Sequence, residues 1–196
     1  MIATAKPEQE AQQQQVWSDE RLVRECVNGN QEAWSALIDK YRKLIYSIPV
    51  KWDLPKEEAN DIFQAVCVDL FAELSRLREP RALPKWLIQA TLHKCAKYRR
   101  QRGRFSDEEI TEDVALAEPG AEAIVEEAQQ EQILRDSIAA VAGRCAEMIR
   151  MLFFETPVRP YAEIAQELGL ATGSIGFIRG RCLERLKKQL LSRGWK

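Results

Sequence analysis

Residues 161–190 read YAEIAQELGLATGSIGFIRGRCLERLKKQL, and their periodicity sets the fold class at this end of the chain. Ile164, Ala165 and Leu168 recur at helical spacing, and Gly169 supplies the left-handed residue that ends a short helix. Leu170 plugs the turn. A second helix is predicted to start from a capping hydroxyl at Thr172 or Ser174. It turns Ile175, Ile178, Cys182, Leu183 and Leu186 inward and shows Arg179, Arg181, Arg185, Lys187 and Lys188 to solvent. Two short helices about a tight turn, the second basic on one side, have the sequence shape of a helix-turn-helix facing a phosphate backbone. A solvated helical hairpin is the plainer alternative, but hairpin, turn residue and one-sided charge together favour DNA.

Groove docking of such a unit brings the N-terminal part of its second helix to base edges, which selects Thr172, Ser174, Gly176, Phe177 and Arg179. Arg179 is the strongest candidate for direct readout, because a bidentate Arg–guanine pair is worth about 1–3 kcal/mol of discrimination. Arg181, Arg185 and Lys188 are expected on phosphates. Gly173, Gly176 and Gly180 each weaken helix propensity by roughly 1 kcal/mol against Ala. Close approach to DNA or to a neighbouring helix has to offset that loss.

A chain of 196 residues holds one or two domains and can bury a real core. With 45% hydrophobic and 30% charged residues it reads as a soluble globular protein. No apolar run approaches bilayer length, and the first residues, MIATAKPEQEAQQQQ, lack the apolar core of a signal peptide, so a cytoplasmic protein without membrane insertion is expected. Cys26, Cys67, Cys95, Cys145 and Cys182 are dispersed without a CxxC pair, and reduced core thiols are the default expectation. The net charge of −1 hides a strong asymmetry. Residues 76–104 carry ten Lys or Arg against the single acid Glu79, while 105–131 carry ten Asp or Glu and no base. A second basic block runs over 179–196. Charge separated this cleanly points to functional segregation along the chain.

Residues 1–17 are Gln-rich, cannot repay the cost of ordering, and are expected to form a mobile tail. Ser18 can cap a first helix with Leu22, Val23, Cys26 and Val27 inward, closed by Gly29. Asn30 caps a second, in which Ala33, Trp34, Leu37, Ile38, Tyr41, Leu44 and Ile45 keep helical period up to Pro49. Pro55 opens a third, where Ala59, Ile62, Phe63, Val66, Cys67, Leu70, Phe71, Leu74 and Leu77 form a nearly unbroken apolar ladder. A loop bounded by two prolines covers 78–84, and helix resumes over 85–102 with Trp86, Leu87, Ala90 and Leu92 toward the core. The acidic block at 105–131 reads as a linker that becomes helical near its end. Beyond it Leu134, Ile138 and Val141 share a face, and after a break at Gly143 a further helix turns Met148, Ile149, Leu152 and Phe153 inward. No segment alternates with period two. The expected fold is all-α, with helical domains at 18–104 and 132–193.

Two helical modules, a charged linker and a C-terminal helix-turn-helix together resemble a bacterial sigma factor of the sigma-70 family, in the compact extracytoplasmic-function (ECF) group. In the first module EANDIFQAVCVDLFAEL, residues 58–74, is similar to the family's core-polymerase-binding helix, with Asp61, Ile62 and Gln64 at its D-[IL]-x-Q positions. Trp86 and Leu87 resemble the Trp-Leu pair that opens the promoter −10 helix, and RPYAEIAQELGLATGSIGFIRGRCLERL resembles the region that binds the −35 element. The chain departs from the family at His93 and Lys97, where an Asn and an Asp are common. It departs again at Gly176, Phe177 and Ile178, where many relatives have Lys, Ser and Arg, and at Asn60, which replaces an acid.

The resemblance implies a region-2-like domain, an acidic linker and a region-4-like domain, with core RNA polymerase (its beta and beta-prime subunits), promoter DNA and an anti-sigma factor as partners. Without an appended domain after Lys196, regulation in trans is the simpler expectation. Polymerase binding falls to Asp61, Ile62, Gln64 and Asp69, although Ile62 also fits an ordinary core position. Capture of the −10 element falls to Arg76, Arg78, Arg81, Lys85, Trp86, Lys94, Lys97 and Arg100, with the loop at 78–83 reading a flipped base. Trp86 fits the core at least as well. Contact with the −35 element falls to Thr172, Ser174, Gly176, Phe177, Arg179, Arg181, Arg185 and Lys188. Family linkers thread the polymerase's basic channels, so the acids at 107–113 are candidates for nucleic-acid mimicry. A helix-turn-helix regulator that binds DNA without polymerase is the alternative. One His, no metal-ligand spacing and no phosphate loop leave nothing to carry an enzymatic reaction, and no metal or other cofactor is expected.

Overall fold

The computed structural model describes residues 17–102, 120–141 and 143–195, and all regular structure among them is helical. The tail to residue 16 and the linker at 103–119, including the acids at 107–113, lie outside the described residues. No helix among the described residues is long and apolar enough to cross a membrane.

Four helices form the first module. α1 (Asp19–Val27) starts where the Ser18 side chain accepts from the Arg21 N–H, and α2 (Gln31–Lys51) where Asn30 accepts from Glu32 and Ala33. Between them Gly29 takes a φ of 83°, the left-handed value that favours glycine. α2 continues through Pro49 to Lys51, because a proline near a helix end removes a single intrahelical hydrogen bond. α3 (Lys56–Glu73) follows Pro55, and two 3₁₀ turns (Leu74–Arg76 and Pro80–Ala82) lead into α4 (Leu83–Arg102). Leu37, Tyr41, Leu44, Ile45, Ile48, Val66, Leu70, Leu87 and Leu92 are buried at the centre. Tyr41 donates its hydroxyl to Asp19 at 2.6 Å, and burial, with Asp19 alongside, pushes the phenol well above its usual range. Trp86 packs partly buried against this core.

α5 (Ala121–Val141) begins ahead of the expected linker boundary, since the last two fifths or so of the acidic block is already helix. Ala121, Ile124, Val125 and Ala128 are spaced i, i+3, i+4, i+7 and pack on the first module's core. Counting acids hid that stripe. The acids beside it have partners, with Lys51 bridging Glu127 at 3.3 Å and Glu131 at 2.9 Å. Farther along, Ile138 and Val141 pack on the second core, so one helix serves both modules.

The second module adds α6 (Gly143–Phe153), α7 (Tyr161–Glu167), a 3₁₀ turn (Thr172–Ser174) and α8 (Ile175–Ser192). Its core holds Met148, Ile149, Met151, Ile164, Ala165, Leu168, Ile175 and Leu186. Phe153 does not point inward as expected but is 57% exposed at the end of α6. Two of the five thiols are not reduced. Cys145 of α6 and Cys182 of α8 form a disulfide because the helices cross with these Cα atoms 5.2 Å apart, inside the range a disulfide can span. Cys26, Cys67 and Cys95 are free, and burial raises all three thiols, Cys26 to about 11 and Cys95 to about 12.

Candidate nucleic-acid interface

α7 ends at Leu168, Gly169 follows with a φ of 62°, and the Leu170 N–H donates to the Ala165 carbonyl at 2.8 Å. This closes the turn that the sequence implies. Neither predicted hydroxyl caps the next helix. Ser174 instead donates its Oγ to the Ala171 carbonyl at 2.7 Å, and the 3₁₀ turn feeds directly into α8. Arg159 fixes the approach to α7 through Glu155 at 3.3 Å, Glu163 at 3.8 Å and Glu167 at 2.6 Å. That clamp is legible in the sequence as three acids at spacings of four and eight from one arginine.

Along α8, Ile175, Cys182 and Leu186 are buried and Ile178 and Leu183 half-buried, as the periodicity requires. At about 100° per residue, Phe177 lies roughly 160° from Ile175, on the outer face, whereas Arg179 lies only about 40° from it. Arg179 accordingly reaches back along the flank. Its Nη1 donates to the Tyr161 hydroxyl at 2.6 Å, and its guanidinium sits 6.0 Å from the centre of that ring. The outer face belongs to Gly176, Phe177, Gly180, Arg181, Glu184, Arg185 and Lys188, which line an open depression of about 550 Å³. Phe177 is 70% exposed, with the Arg181 guanidinium 5.8 Å from its ring centre. A Cβ added at Gly173, Gly176 or Gly180 would meet nothing within 4 Å. The crowding of a neighbouring helix therefore does not explain these glycines.

The expected −10 residues do not form one uniform patch. Arg78, Lys85 and Lys97 are exposed, and Arg100 is half-buried. Arg76 pairs with Glu73 at 2.8 Å, and Lys94 pairs with Asp69 at 2.6 Å. Arg81 reaches Glu20 at 2.8 Å, a hydrogen bond that holds the Glu20 carboxyl down at about 2 and ties the 3₁₀ turn to α1. Lys85 and Lys97, twelve residues apart in α4, stand about 120° apart around that helix.

On α3 the expected polymerase residues divide by burial. Ile62 is 5% exposed and belongs to the core, because its position shares a face with Val66 and Leu70, and this removes it as a contact residue. Asp61 and Gln64 are exposed. In line with them at helical spacing stand Val68, 68% exposed, and Phe71, 76% exposed, its ring edge-on to Trp34 at 5.6 Å. The apolar ladder read from the sequence placed Phe71 inward and did not include Val68. The usable signal was its excess of apolar positions over what one helix face can bury. No group of three or more His, Cys, Asp or Glu that could hold a metal ion occurs among the described residues.

No family model matches the chain. It is 25% identical over 133 residues to the RNA polymerase sigma-H factor of Pseudomonas aeruginosa, an alignment that covers 67% of this chain and 69% of that protein.

Proposed function

Starting from the sigma-70 family, which that relative and the motifs both support, we propose that this chain is a sigma factor of the ECF group. It binds core RNA polymerase and directs promoter-specific initiation, with no covalent chemistry of its own. The observation that carries this reading is the uncovered face of α3. Asp61, Gln64, Val68 and Phe71 leave two large apolar side chains in solvent beside polar neighbours, the make-up of a protein-docking surface. Core RNA polymerase is its partner, through the beta-prime and beta subunits, and Asp69 acts indirectly by holding Lys94.

The two basic surfaces divide the promoter. Arg78, Lys85, Lys97 and Arg100 hold the −10 strand, Arg76 and Arg81 join them by exchanging their carboxylate partners for phosphate, and Trp86 supports the helix from below. The outer face of α8 meets the −35 element, with Arg181, Arg185 and Lys188 on phosphates. Thr172 and Ser174 stand at the helix entrance beside the same groove. An anti-sigma factor is a further partner in this reading.

Multi-round transcription from a genomic promoter library with bacterial core RNA polymerase tests the proposal. The intact chain is compared with an Asp61→Ala, Gln64→Ala variant and with an Arg181→Ala, Arg185→Ala variant. Promoter-specific transcripts are expected from the intact chain, with loss in both variants but loss of polymerase binding only in the first. Absence of transcripts, with specific DNA binding by the protein alone, would replace this reading with a plain helix-turn-helix regulator.

A further inference from the structure

We infer that Phe177 determines specificity in the −35 contact and reads a thymine through its 5-methyl group. The inference rests on the sigma-factor reading above and names what the outer face of α8 recognises. Phe177 stands near the N-terminal end of that face, 70% exposed, and Arg181 lies over its ring. A phenyl ring has no hydrogen-bonding group, so donors and acceptors in the major groove are invisible to it. The apolar mark a base pair shows there is the thymine methyl. The cations that would flank it, Arg181, Arg185 and Lys188, line the same depression and complement phosphate.

Two further observations agree. Arg179, the residue best suited to read guanine, is turned to the flank and bonded to Tyr161, which leaves Phe177 as the large side chain at the N-terminal end of the outer face, with the Arg181 guanidinium against its ring. Gly176 and Gly180 sit beside Phe177, one residue before and three after, and nothing in the protein approaches the space their Cβ atoms would fill. Bare backbone at these two positions lets a base edge come closer to the helix than an alanine would allow.

The test uses holoenzyme assembled from the full chain and core RNA polymerase, bound to a promoter duplex recovered by the transcription experiment. Each −35 thymine is replaced in turn by deoxyuridine, which deletes the methyl alone. At one position wild-type affinity is expected to fall about fourfold, the worth of one buried methyl group. Phe177→Ala should be indifferent to that replacement. Gly180→Ala should raise the thermal midpoint of the free protein and yet weaken binding to the −35 element. Tolerance of deoxyuridine at every position overturns the inference, as does a fourfold loss that persists in Phe177→Ala or full binding by Gly180→Ala. Protection of the −35 region without methyl dependence sinks the role of Phe177 alone. No protection of that region sinks the −35 reading with it.

Discussion

The two modules are built to different standards. Among the large, fully buried side chains, Leu22, Leu37, Tyr41, Leu44, Ile45, Ile48, Leu70, Leu83, Leu87, Ile88 and Leu92 belong to α1–α4, against Met148, Ile164 and Ile175 in the second module. The first module builds most of its core from its own four helices, with Ala121 and Ala128 of α5 added. The second has short helices, a smaller core and a surface helix weakened by glycines, and it draws support from the Cys145–Cys182 disulfide and from α5. A surface helix carrying glycines gives up stability there, and in this module a covalent tie and a shared helix offset the loss.

The sharpest way to break that comparison is to remove the tie. Cys145 and Cys182 are 37 residues apart, and closing a loop of that length stabilises by about 4 kcal/mol on the chain-entropy model. Reduction, or the Cys145→Ser, Cys182→Ser variant, should lower a calorimetric transition belonging to the second module and leave that of the first in place. Alkylation read by mass spectrometry should label Cys145 and Cys182 only after reduction. Equal shifts of both transitions would mean that the modules unfold as one unit and that the contrast is only apparent. In the other direction, Leu44→Ala empties a fully buried site of the first module and should cost about 2–5 kcal/mol there, seen as a fall in the midpoint of that transition.

What the sequence reveals follows from which forces are local. Ser18 and Asn30 as caps, and Gly29 and Gly169 as helix ends, were all legible, because a cap or a left-handed residue acts within a few positions of itself. The disulfide was not, since it depends on how α6 and α8 cross rather than on any spacing. Arg179 was legible as exposed, but a list of exposed cations does not say which side of the helix each occupies. Only the geometry turns it toward Tyr161 and leaves the outer face to Phe177. α5 was missed at its start because ten acids in 105–131 outweighed four apolar residues whose partners lie far back in α2 and α4. The polar half of the proposed polymerase surface, Asp61 and Gln64, was found by motif. Its apolar half was not, because periodicity marks apolar positions without saying which stay uncovered.

An exposed apolar residue separates function from stability. Phe71→Ala should weaken core-polymerase binding about tenfold, as for a central interface aromatic. Its midpoint should change little, since the ring keeps only an edge contact with Trp34. Fluorescence anisotropy for binding and calorimetry for stability check the two halves. A large loss of stability with unchanged binding would return Phe71 to the core and α3 to an ordinary helix.

The smallest expected effect lies where α5 meets the first module. The Asp136 carboxylate accepts from Gln132 at 3.0 Å and stands 3.8 Å from Lys40, which Asp19 holds more closely at 2.8 Å. Burial, with Asp19 nearby, raises the Asp136 carboxyl above its ordinary value despite Lys40, Gln132 and Arg193. The folded protein then binds this proton more tightly than the unfolded chain does, so its contribution favours folding at acid pH. That contribution is lost as pH rises from the unfolded value through the raised one. Asp136→Asn removes the charge and keeps an oxygen to accept from Gln132. It should melt at or slightly above wild type at pH 7, and the difference should shrink as the pH is lowered toward 3. A variant less stable than wild type at pH 7 would show that the Lys40 pair outweighs burial, and that charge as well as apolar packing holds α5 to the first module.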